Sequence, residues 1–242
     1  MIRLNKFLAE RLGVSRRQAD DLISDGKIKV DFAFGRDSGG DKTGVKIATL
    51  GDRIDKNDKV WYNGSIIPFD MGYSYIAMNK PVGYVCSRKS QGGTQTIYEL
   101  LPKEYQKLKT VGRLDKDSSG LILLTNDGDF AFSMTHPKFV KEKVYEVELD
   151  HDLEPLHRQM IADFGVELAD GKSKLRLARM IEDEKDPLYN RTWRVTMSEG
   201  RNRQIRRTFA ALGYEVVKLH RVQFGKYALD GLKTGEYVII KP

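Results

Sequence analysis

The chain has 242 residues, 40% of them hydrophobic, and a net charge of +7. Cys86 is the only cysteine, which excludes an internal disulfide and a cysteine-built zinc site, and the four histidines lack metal-ligand spacing, so we expect no metal. No apolar run approaches membrane-spanning length, and the first residues lack the apolar core of a signal peptide. We therefore expect a cytoplasmic protein without a membrane partner.

The N-terminal residues predict a pair of short helices. Apolar residues recur at helical spacing up to Gly13, which ends the first helix. Ser15 and Gln18 form a capping box for a second helix, which ends near Gly26. Four basic side chains are expected to face outward near the turn between the helices: Lys6, Arg11, Arg16 and Arg17.

Short strand-like runs follow, and residues 63–73 carry turn-forming residues without periodicity. We therefore divide the chain into a small domain at 1–62, a linker at 63–73 and a second domain at 74–242. Residues 31–46 are rich in Gly, Asp and Lys. The second domain combines strand-like runs, one of them over 83–87, with few helical patterns. The prediction is an α+β fold: a two-helix module with short strands, then a mixed, largely antiparallel sheet with few helices.

The segment from Val111 to Gly128 places the carboxylate of Asp115 at a sharp break between two apolar, strand-like runs. An acid at such a corner can present its oxygens to a cleft while the flanking strands hold it still. The plainer interpretation is that Asp115 and Asp117 only shape a turn, as Asp beside Ser and Gly usually does. Spacing alone favours the plainer interpretation.

The most one-sided charge lies near the C-terminus. From Gly200 to Lys226 the chain has seven Lys and Arg and a single acid, Glu215. Because the segment is otherwise apolar, its charge favours contact with a polyanion over a merely solvated surface. Four closely spaced arginines are equivalent candidates for phosphate contact on the sequence alone: Arg201, Arg203, Arg206 and Arg207.

Several other residues have ordinary structural interpretations. Tyr145 lies in a strand-like run where an aromatic side chain is normally part of the core, and Leu219 has the setting of an ordinary core leucine. Arg113 has the position of a surface arginine that flanks a turn. We assign Lys80 to local backbone geometry before a proline, and Cys86 to a small buried apolar residue rather than a nucleophile.

Four ordered segments resemble the RsuA/RluB-type group of pseudouridine synthases, which modify ribosomal RNA: Asn79–Tyr84, the Asp115 segment, Lys141–Tyr145 and Glu199–Arg207. The helix pair and the Gly-Lys-Ile-Lys-Val run after it resemble the S4 RNA-binding module. Relative to that module, residues 31–46 are an apparent insertion whose role stays open. The resemblance thus covers nearly the whole chain. It implies that residues 1–62 bind RNA through the four outward basic residues and that residues 74–242 are the catalytic domain.

The same resemblance implies roles for individual residues. Asp115 would be the catalytic carboxylate, either as a nucleophile at the ribose or as a base at C2′, and Arg206 would pair with it. Tyr145 would pack against the flipped uracil and help to remove the C5 proton, and Leu219 would line the base pocket. Arg113 would fill the space that the base leaves or hold the adjacent phosphate.

The implied reaction converts a uridine of ribosomal RNA to pseudouridine. The bond from C1′ to N1 breaks and a bond from C1′ to C5 forms, with no atom gained or lost, so no cofactor is expected. The RNA is free or part of an assembling subunit, and the protein is expected to act as a monomer. The form of the Asp115 segment resembles the large-subunit members slightly more than the small-subunit members.

Two other functions are compatible with parts of the sequence. An assembly factor that binds RNA without chemistry would lack part of the catalytic set, whereas here the set is complete. A metal-dependent nuclease would need clustered carboxylates, and a plain turn at residues 126–128 explains two of the four candidates: Asp115, Asp117, Asp127 and Asp129.

Overall fold

The computed structural model describes residues 1–33, 44–70, 72–90 and 92–242, and the chain divides into two compact units. The first unit is Met1–Ser74 with the short segments Lys107–Lys109 and Thr125–Gly128, and the second contains the remainder of the chain. The insertion predicted over 31–46 lies mostly outside the described residues. No helix in the described part has the length and apolar character needed to span a bilayer.

The first unit begins with the predicted helix pair, α1 (Leu4–Arg11) and α2 (Arg16–Ser24). The capping box is formed: the Gln18 amide donates to Ser15 Oγ at 3.1 Å, and the Ser15 amide donates to Gln18 Oε1 at 2.8 Å. These bonds satisfy two amides that the first turn would otherwise leave unpaired. The apolar faces of the helices build the core with the short strands around them.

Six short strands complete this unit. β1 pairs antiparallel with β4, and a four-stranded antiparallel sheet has the order β3-β2-β5-β6. Alternate residues of β2 are buried, as the period of a strand with one face on a core requires. The strands are β1 (Ile2–Arg3), β2 (Ile28–Asp31), β3 (Lys46–Ile47), β4 (Arg53–Ile54), β5 (Lys59–Tyr62) and β6 (Ser65–Ile66).

The second unit is built on a nine-stranded mixed sheet whose main path is β13-β14-β10-β15-β9-β7-β17, with β8 beside β9 and β16 beside β15. A separate hairpin, β11–β12, stands outside it. The strands are β7 (Tyr75–Lys80), β8 (Lys109–Val111), β9 (Ser119–Thr125), β10 (Lys143–Leu149), β11 (Val166–Leu168), β12 (Gly171–Ser173), β13 (Arg176–Arg179), β14 (Thr192–Met197), β15 (Val216–Phe224), β16 (Tyr227–Ala228) and β17 (Tyr237–Ile239).

Helices are few and short in this unit. They are α3 (Gly128–Thr135), α4 (Pro155–Gln159), which continues as a π-helical turn (Met160–Phe164), α5 (Gln204–Ala210), and 3₁₀ turns at Ile97–Leu100 and Pro137–Phe139. The α+β prediction is confirmed: the sheet is mixed, because β9 runs parallel to β15, whereas the pairs β10–β14, β10–β15, β13–β14, β15–β16 and β7–β17 are antiparallel.

The parallel contact between β9 and β15 depends on a glycine. Gly120 lies opposite Arg221 with φ of 104°, and a Cβ added there would lie 2.2 Å from the Arg221 carbonyl oxygen. Only glycine permits both the backbone conformation and the close approach. This contact matters because β9 begins just after the turn that carries Asp115.

One local prediction in the second unit is wrong, and one hairpin was missed. The strand expected over 83–87 is irregular, with a single bridge from Val85 to Thr96, because Gly83 turns the chain away from extended geometry with φ of 93°. The β11–β12 hairpin was not predicted, because its strands have only three residues each and too little alternation to stand out.

Candidate active site

Asp115 lies in the connection between β8 and β9. The buried side chain of Leu114 anchors the residue before it, and the Ser118 amide closes a turn by donating to the Asp115 carbonyl at 3.1 Å. The Asp115 side chain is 38% exposed. The sequence thus places a carboxylate at a rigid corner with its oxygens accessible, which is the arrangement a catalytic acid or nucleophile needs.

A cavity of about 590 Å³ opens in front of this turn, and its lining lies within the second unit. Its volume falls within the range of about 300–1,000 Å³ typical of small-molecule sites. Asp115 and Arg113 line it on one side, and Arg203 from the start of α5 lines it on another. The sequence-predicted Arg113, Asp115 and Arg203 are thus brought together.

Arg203 is the cation that the structure places beside Asp115. Its Nη1 lies 3.6 Å from Asp115 Oδ2, while its two Nη atoms donate to the two carboxylate oxygens of Asp117 at 3.0 and 2.8 Å. This bidentate bond lowers the pKa of Asp117 and raises that of Arg203. Arg203 adopts left-handed geometry with φ of 47°, which for a non-glycine residue persists only where the surroundings hold it.

The predicted pair of Arg206 with Asp115 is not formed, and that prediction is corrected. Arg206 Nε lies 3.3 Å from Asp117 Oδ2, its Nη2 donates to the Asp117 backbone carbonyl at 2.9 Å, and its Nη1 donates to the Val216 carbonyl. Two of these three contacts are to main chain, and the side chain is only 14% exposed. Arg206 therefore holds the turn that carries Asp115 rather than the Asp115 carboxylate itself.

Lys80 lies fully buried beneath the same turn. Its ammonium donates to the backbone carbonyls of Ser118 at 2.6 Å and Pro81 at 3.0 Å. Burial lowers the pKa of Lys80, while Cys86, Asp117 and Asp115 oppose that effect. The interpretation of Lys80 as a residue of local backbone geometry missed this contact. A charged residue at the end of β7, a strand that begins with a largely apolar run, was the available signal.

Cys86 also lines the cavity, where its Sγ accepts a long hydrogen bond from the Leu114 amide at 3.5 Å. Burial raises the pKa of the thiol, so the thiolate that a nucleophile requires is disfavoured at neutral pH. The residue is partly rather than fully buried. These contacts agree with its interpretation as a packing residue.

Tyr145 and Leu219 lie on one face of the sheet beside the Asp115 turn, outside the lining of the cavity. A single row crosses three strands, with Tyr145 of β10 opposite Arg221 of β15, and Arg221 opposite Gly120 of β9. Tyr145 and Leu219 are each only 8% exposed. Both therefore have the burial that the core interpretation predicts, Leu219 on the strand that pairs with β9 and Tyr145 on the next strand beyond it.

Arg221 was counted only as part of a basic segment, and the structure shows more. It is 2% exposed, its Nε donates to the Leu121 carbonyl at 2.7 Å, and its guanidinium lies 5.0 Å from the ring centre of Phe224. Its Nη2 has no hydrogen-bond partner within the described ranges. The periodicity of β15, which buries every second residue here, was the signal that could have identified it.

Arg201 and Arg207, which were predicted to contact phosphate, both bind the β11–β12 hairpin. Arg201 Nη1 donates to Asp170 Oδ1 at 3.0 Å and to the Gly171 carbonyl at 2.8 Å, and its Nη2 donates to the Lys172 carbonyl at 2.9 Å. Arg207 binds both oxygens of Asp170 at 2.9 and 2.8 Å. This pair lowers the pKa of Asp170 and raises that of Arg207. The two arginines therefore clamp the tip of the β11–β12 hairpin to the start of α5.

The four basic residues of the first unit differ in their surroundings. Lys6 lies 3.9 Å from a carboxylate oxygen of Glu10, and the Arg11 guanidinium stacks 5.7 Å from the ring centre of Phe7. Arg16 and Arg17 are exposed in the first turn of α2. Two of the four are thus presented fully to solvent.

The carboxylates needed for a metal-dependent nuclease do not cluster. In the part of the chain that the structure describes, no group of three or more metal-ligating side chains comes together. Asp127 shapes a local turn, with its amide donating to Thr125 Oγ1 at 3.0 Å, and Asp129 opens α3. The nuclease hypothesis has no site here.

Comparison with known proteins adds independent findings. Residues 74–211 match the family model for RNA pseudouridylate synthases, and residues 2–32 match the S4 domain. A ribosomal large subunit pseudouridine synthase B of Bacillus subtilis is 33% identical over 98% of this chain and 91% of its own length. A ribosomal small subunit pseudouridine synthase A of Yersinia pestis is 35% identical over 98% of this chain and 93% of its own length.

Solved structures agree with the sequence relatives. A crystal structure described as a pseudouridylate synthase superposes with a TM-score of 0.65 and 32% identity, covering 100% of this chain and 96% of that chain. Both the first unit and the second therefore have counterparts in one known architecture.

Proposed function

The chain belongs to the RNA pseudouridylate synthase family, and we propose that it isomerises one uridine of ribosomal RNA with Asp115 as the catalytic carboxylate. The observation that carries the proposal is the position of Asp115 on a rigid turn at a cavity, accessible to solvent and 3.6 Å from Arg203. The identity with ribosomal pseudouridine synthases over nearly the whole chain supports the substrate class.

The isomerisation needs a base that has left its stack, because C5 and C1′ cannot be reached inside a duplex. The C1′–N1 bond breaks, the uracil turns while it is held, C5 bonds to C1′, and C5 finally loses its proton while N1 gains one. No atom or electron is exchanged with a second substrate, so the stoichiometry requires no cofactor. Asp115 acts as a nucleophile at the ribose or as a base at C2′, and its oxygens must reach the ribose in either role.

The remaining residues position the reactants in this proposal. Arg203 attracts and orients the Asp115 carboxylate, while Arg206 and Lys80 hold the backbone of its turn. Arg113 lines the cavity and contacts the phosphate of the flipped nucleotide or fills the space the base leaves. Tyr145 and Leu219 are proposed to contact the uracil from the face of β10 and β15.

The finer properties belong to the same proposal. Residues 1–62 act as the RNA-binding S4 domain and residues 74–242 as the catalytic domain. Residues 63–73, predicted as a linker, carry β6 and are part of the first compact unit. The protein acts as a monomer in the cytoplasm, and ribosomal RNA is its partner. Relatives act on the large and the small subunit alike, so the assay must offer both RNAs.

The test is tritium release from C5-tritiated uridine in transcripts of large- and small-subunit ribosomal RNA, with Asp115→Asn as the control. We expect release from one transcript only. The variant should lose release completely while its Kd for that transcript changes by less than about twofold, because a carboxamide keeps the shape of the side chain without its charge. Turnover retained in Asp115→Asn would remove Asp115 from the mechanism. Release from neither transcript, nor from assembling subunits, would favour an assembly factor.

A further inference from the structure

Three aromatic rings form an exposed cluster at the end of α3, which we call the aromatic cluster: Phe132, His136 and Phe139. Phe132 is 46% exposed and Phe139 is 39% exposed. The ring centres of Phe132 and His136 lie 4.5 Å apart, and those of Phe132 and Phe139 lie 5.8 Å apart at 88°. Phe132 and Phe139 thus meet edge to face, an arrangement in which the two rings support one another, and both stay partly exposed.

The surroundings of the aromatic cluster are positively charged. The Lys138 ammonium lies 5.3 Å from the ring centre of Phe132 and 4.6 Å from that of Phe139. Lys141 lies in the same connection between α3 and β10. The one acidic residue of this connection, Glu142, forms an ion pair with Arg176 at 2.5 Å. Exposed aromatic rings beside lysine ammonium groups match the two groups of a single-stranded nucleic acid, its bases and its phosphates.

The aromatic cluster adjoins the wall of the cavity. Gly112 packs against the end of α3, where a Cβ added to it would lie 3.8 Å from Thr135 Cγ2. The next residue after Gly112 is Arg113, which lines the cavity, and the next after Thr135 is His136. A strand of RNA with one base in the cavity therefore brings its neighbouring nucleotides close to these rings.

We propose that the aromatic cluster stacks unpaired bases of the RNA next to the target uridine. The inference rests on the proposed function for its substrate. On binding, Lys138 exchanges the ring faces for a phosphate, and a base takes its place against Phe139. Flipping one nucleotide weakens the stacking of its neighbours, and a protein surface that stacks them recovers part of that loss.

The test compares Phe132→Leu and Phe139→Leu with Phe164→Leu, a control at a phenylalanine that is 64% exposed elsewhere in the second unit. Leucine keeps the apolar bulk and removes the π face. We expect each cluster variant to bind a fluorescein-labelled single-stranded RNA oligonucleotide about tenfold more weakly, the loss of one stacked base. Phe139→Tyr should bind like the unaltered protein, and Phe164→Leu likewise. Anisotropy at fixed salt gives Kd, and circular dichroism confirms the fold.

Equal Kd values for the cluster variants and the unaltered protein would overturn the inference, as would an equal loss in Phe164→Leu. Self-association that disappears in the cluster variants while Kd is unchanged would assign the rings to a second copy of the chain. The oligonucleotide measurement does not depend on catalysis. Absence of tritium release in the unaltered protein would thus overturn the proposed function alone, and unchanged Kd would overturn this inference alone.

Discussion

Arg203 contacts two carboxylates, one closely and the other at a longer distance. It binds Asp117 through both Nη atoms and reaches Asp115 only at 3.6 Å. Asp117 therefore neutralises most of the arginine, and the Asp115 oxygens stay available to a substrate. A tight bidentate pair on Asp115 would have to be broken in every catalytic cycle, whereas the observed sharing orients the carboxylate without occupying it.

Arg203 and Arg206 should respond differently to truncation. Arg203→Ala should lower kcat about 100-fold by releasing Asp115, yet change the unfolding free energy by less than about 1 kcal/mol, because its ion pairs are exposed. Arg206→Ala should lower kcat as well. In addition it should lower the unfolding free energy by about 2 kcal/mol, because backbone carbonyls lose the guanidinium that donates hydrogen bonds to them. Tritium-release kinetics and urea unfolding measure both effects. Equal loss of stability in both variants would contradict the assigned division of roles.

His220 adds a pH dependence to stability. Its Nδ1 lies 2.8 Å from Ser119 Oγ, and burial lowers the pKa of the half-buried ring, with Glu146 opposing and Lys218 adding to that effect. The unfolded chain takes up a proton near pH 6.5 and the folded chain only at lower pH, so protonation favours unfolding as the pH falls below about 6.5.

Replacing His220 by Gln should remove this component. The unfolding free energy of the unaltered protein should fall more steeply than that of His220→Gln between about pH 7 and pH 5. Urea unfolding at several pH values measures the difference. The carboxylates titrate in both proteins and cancel from the comparison, so parallel curves would show that His220 does not contribute.

At the scale of elements, the β11–β12 hairpin supports the start of α5. Arg201 and Arg207 bind its tip through Asp170, and Arg207 Nε also donates to the Asn202 carbonyl at 2.9 Å. The turn before α5 is thus held on both sides, and this explains how Arg203 keeps its left-handed backbone and its direction towards Asp115. The β11–β12 hairpin, which lies outside the main sheet, thereby helps to fix the position of Arg203 at the cavity.

Asp170→Asn should release the hairpin without touching the cavity. We expect kcat to fall about tenfold, because Arg203 loses its fixed position, with faster hydrogen exchange at residues 171–173. Asp183→Asn is the matched control, since Asp183 is an exposed aspartate that caps only the Lys185 amide at 3.0 Å. Unchanged exchange and kcat in Asp170→Asn would show that the clamp does not position Arg203.

At the scale of the whole molecule, the proposal assigns part of the RNA affinity to a different unit from the one that carries the catalytic carboxylate. The exposed Arg16 and Arg17 belong to the first unit, and Asp115 belongs to the second. The double variant Arg16→Ala/Arg17→Ala should raise KM for the ribosomal transcript and leave kcat unchanged. The slope of log Kd against the logarithm of salt concentration should fall by about 2, because two phosphate contacts are lost. The matched Lys/Lys variant keeps the charges and should retain the slope. An unaltered slope in the Ala/Ala variant would exclude these residues from the RNA interface.

Much of the local structure followed from the sequence because it depends on neighbouring residues. The capping box of α2 is formed by two residues three positions apart. In β10 the alternation of apolar and polar residues predicts which side chains face the core. The corner at Asp115 was predictable for the same reason, since two apolar runs with a polar break between them can fold in few other ways.

The pairing of charges was decided by the tertiary structure. Arg201, Arg203, Arg206 and Arg207 are chemically equal in sequence, and only the packing of α5 shows which of them reaches which acid. Arg203 meets Asp117 across 86 residues, and Lys80 meets Ser118 across 38. The sequence by itself determined the fold class, the family resemblance and the carboxylate at the corner. Which cation faces that carboxylate, and which ones hold its turn, depended on long-range packing, because a charge–charge contact is set by distance in space and local patterns carry no information on that distance.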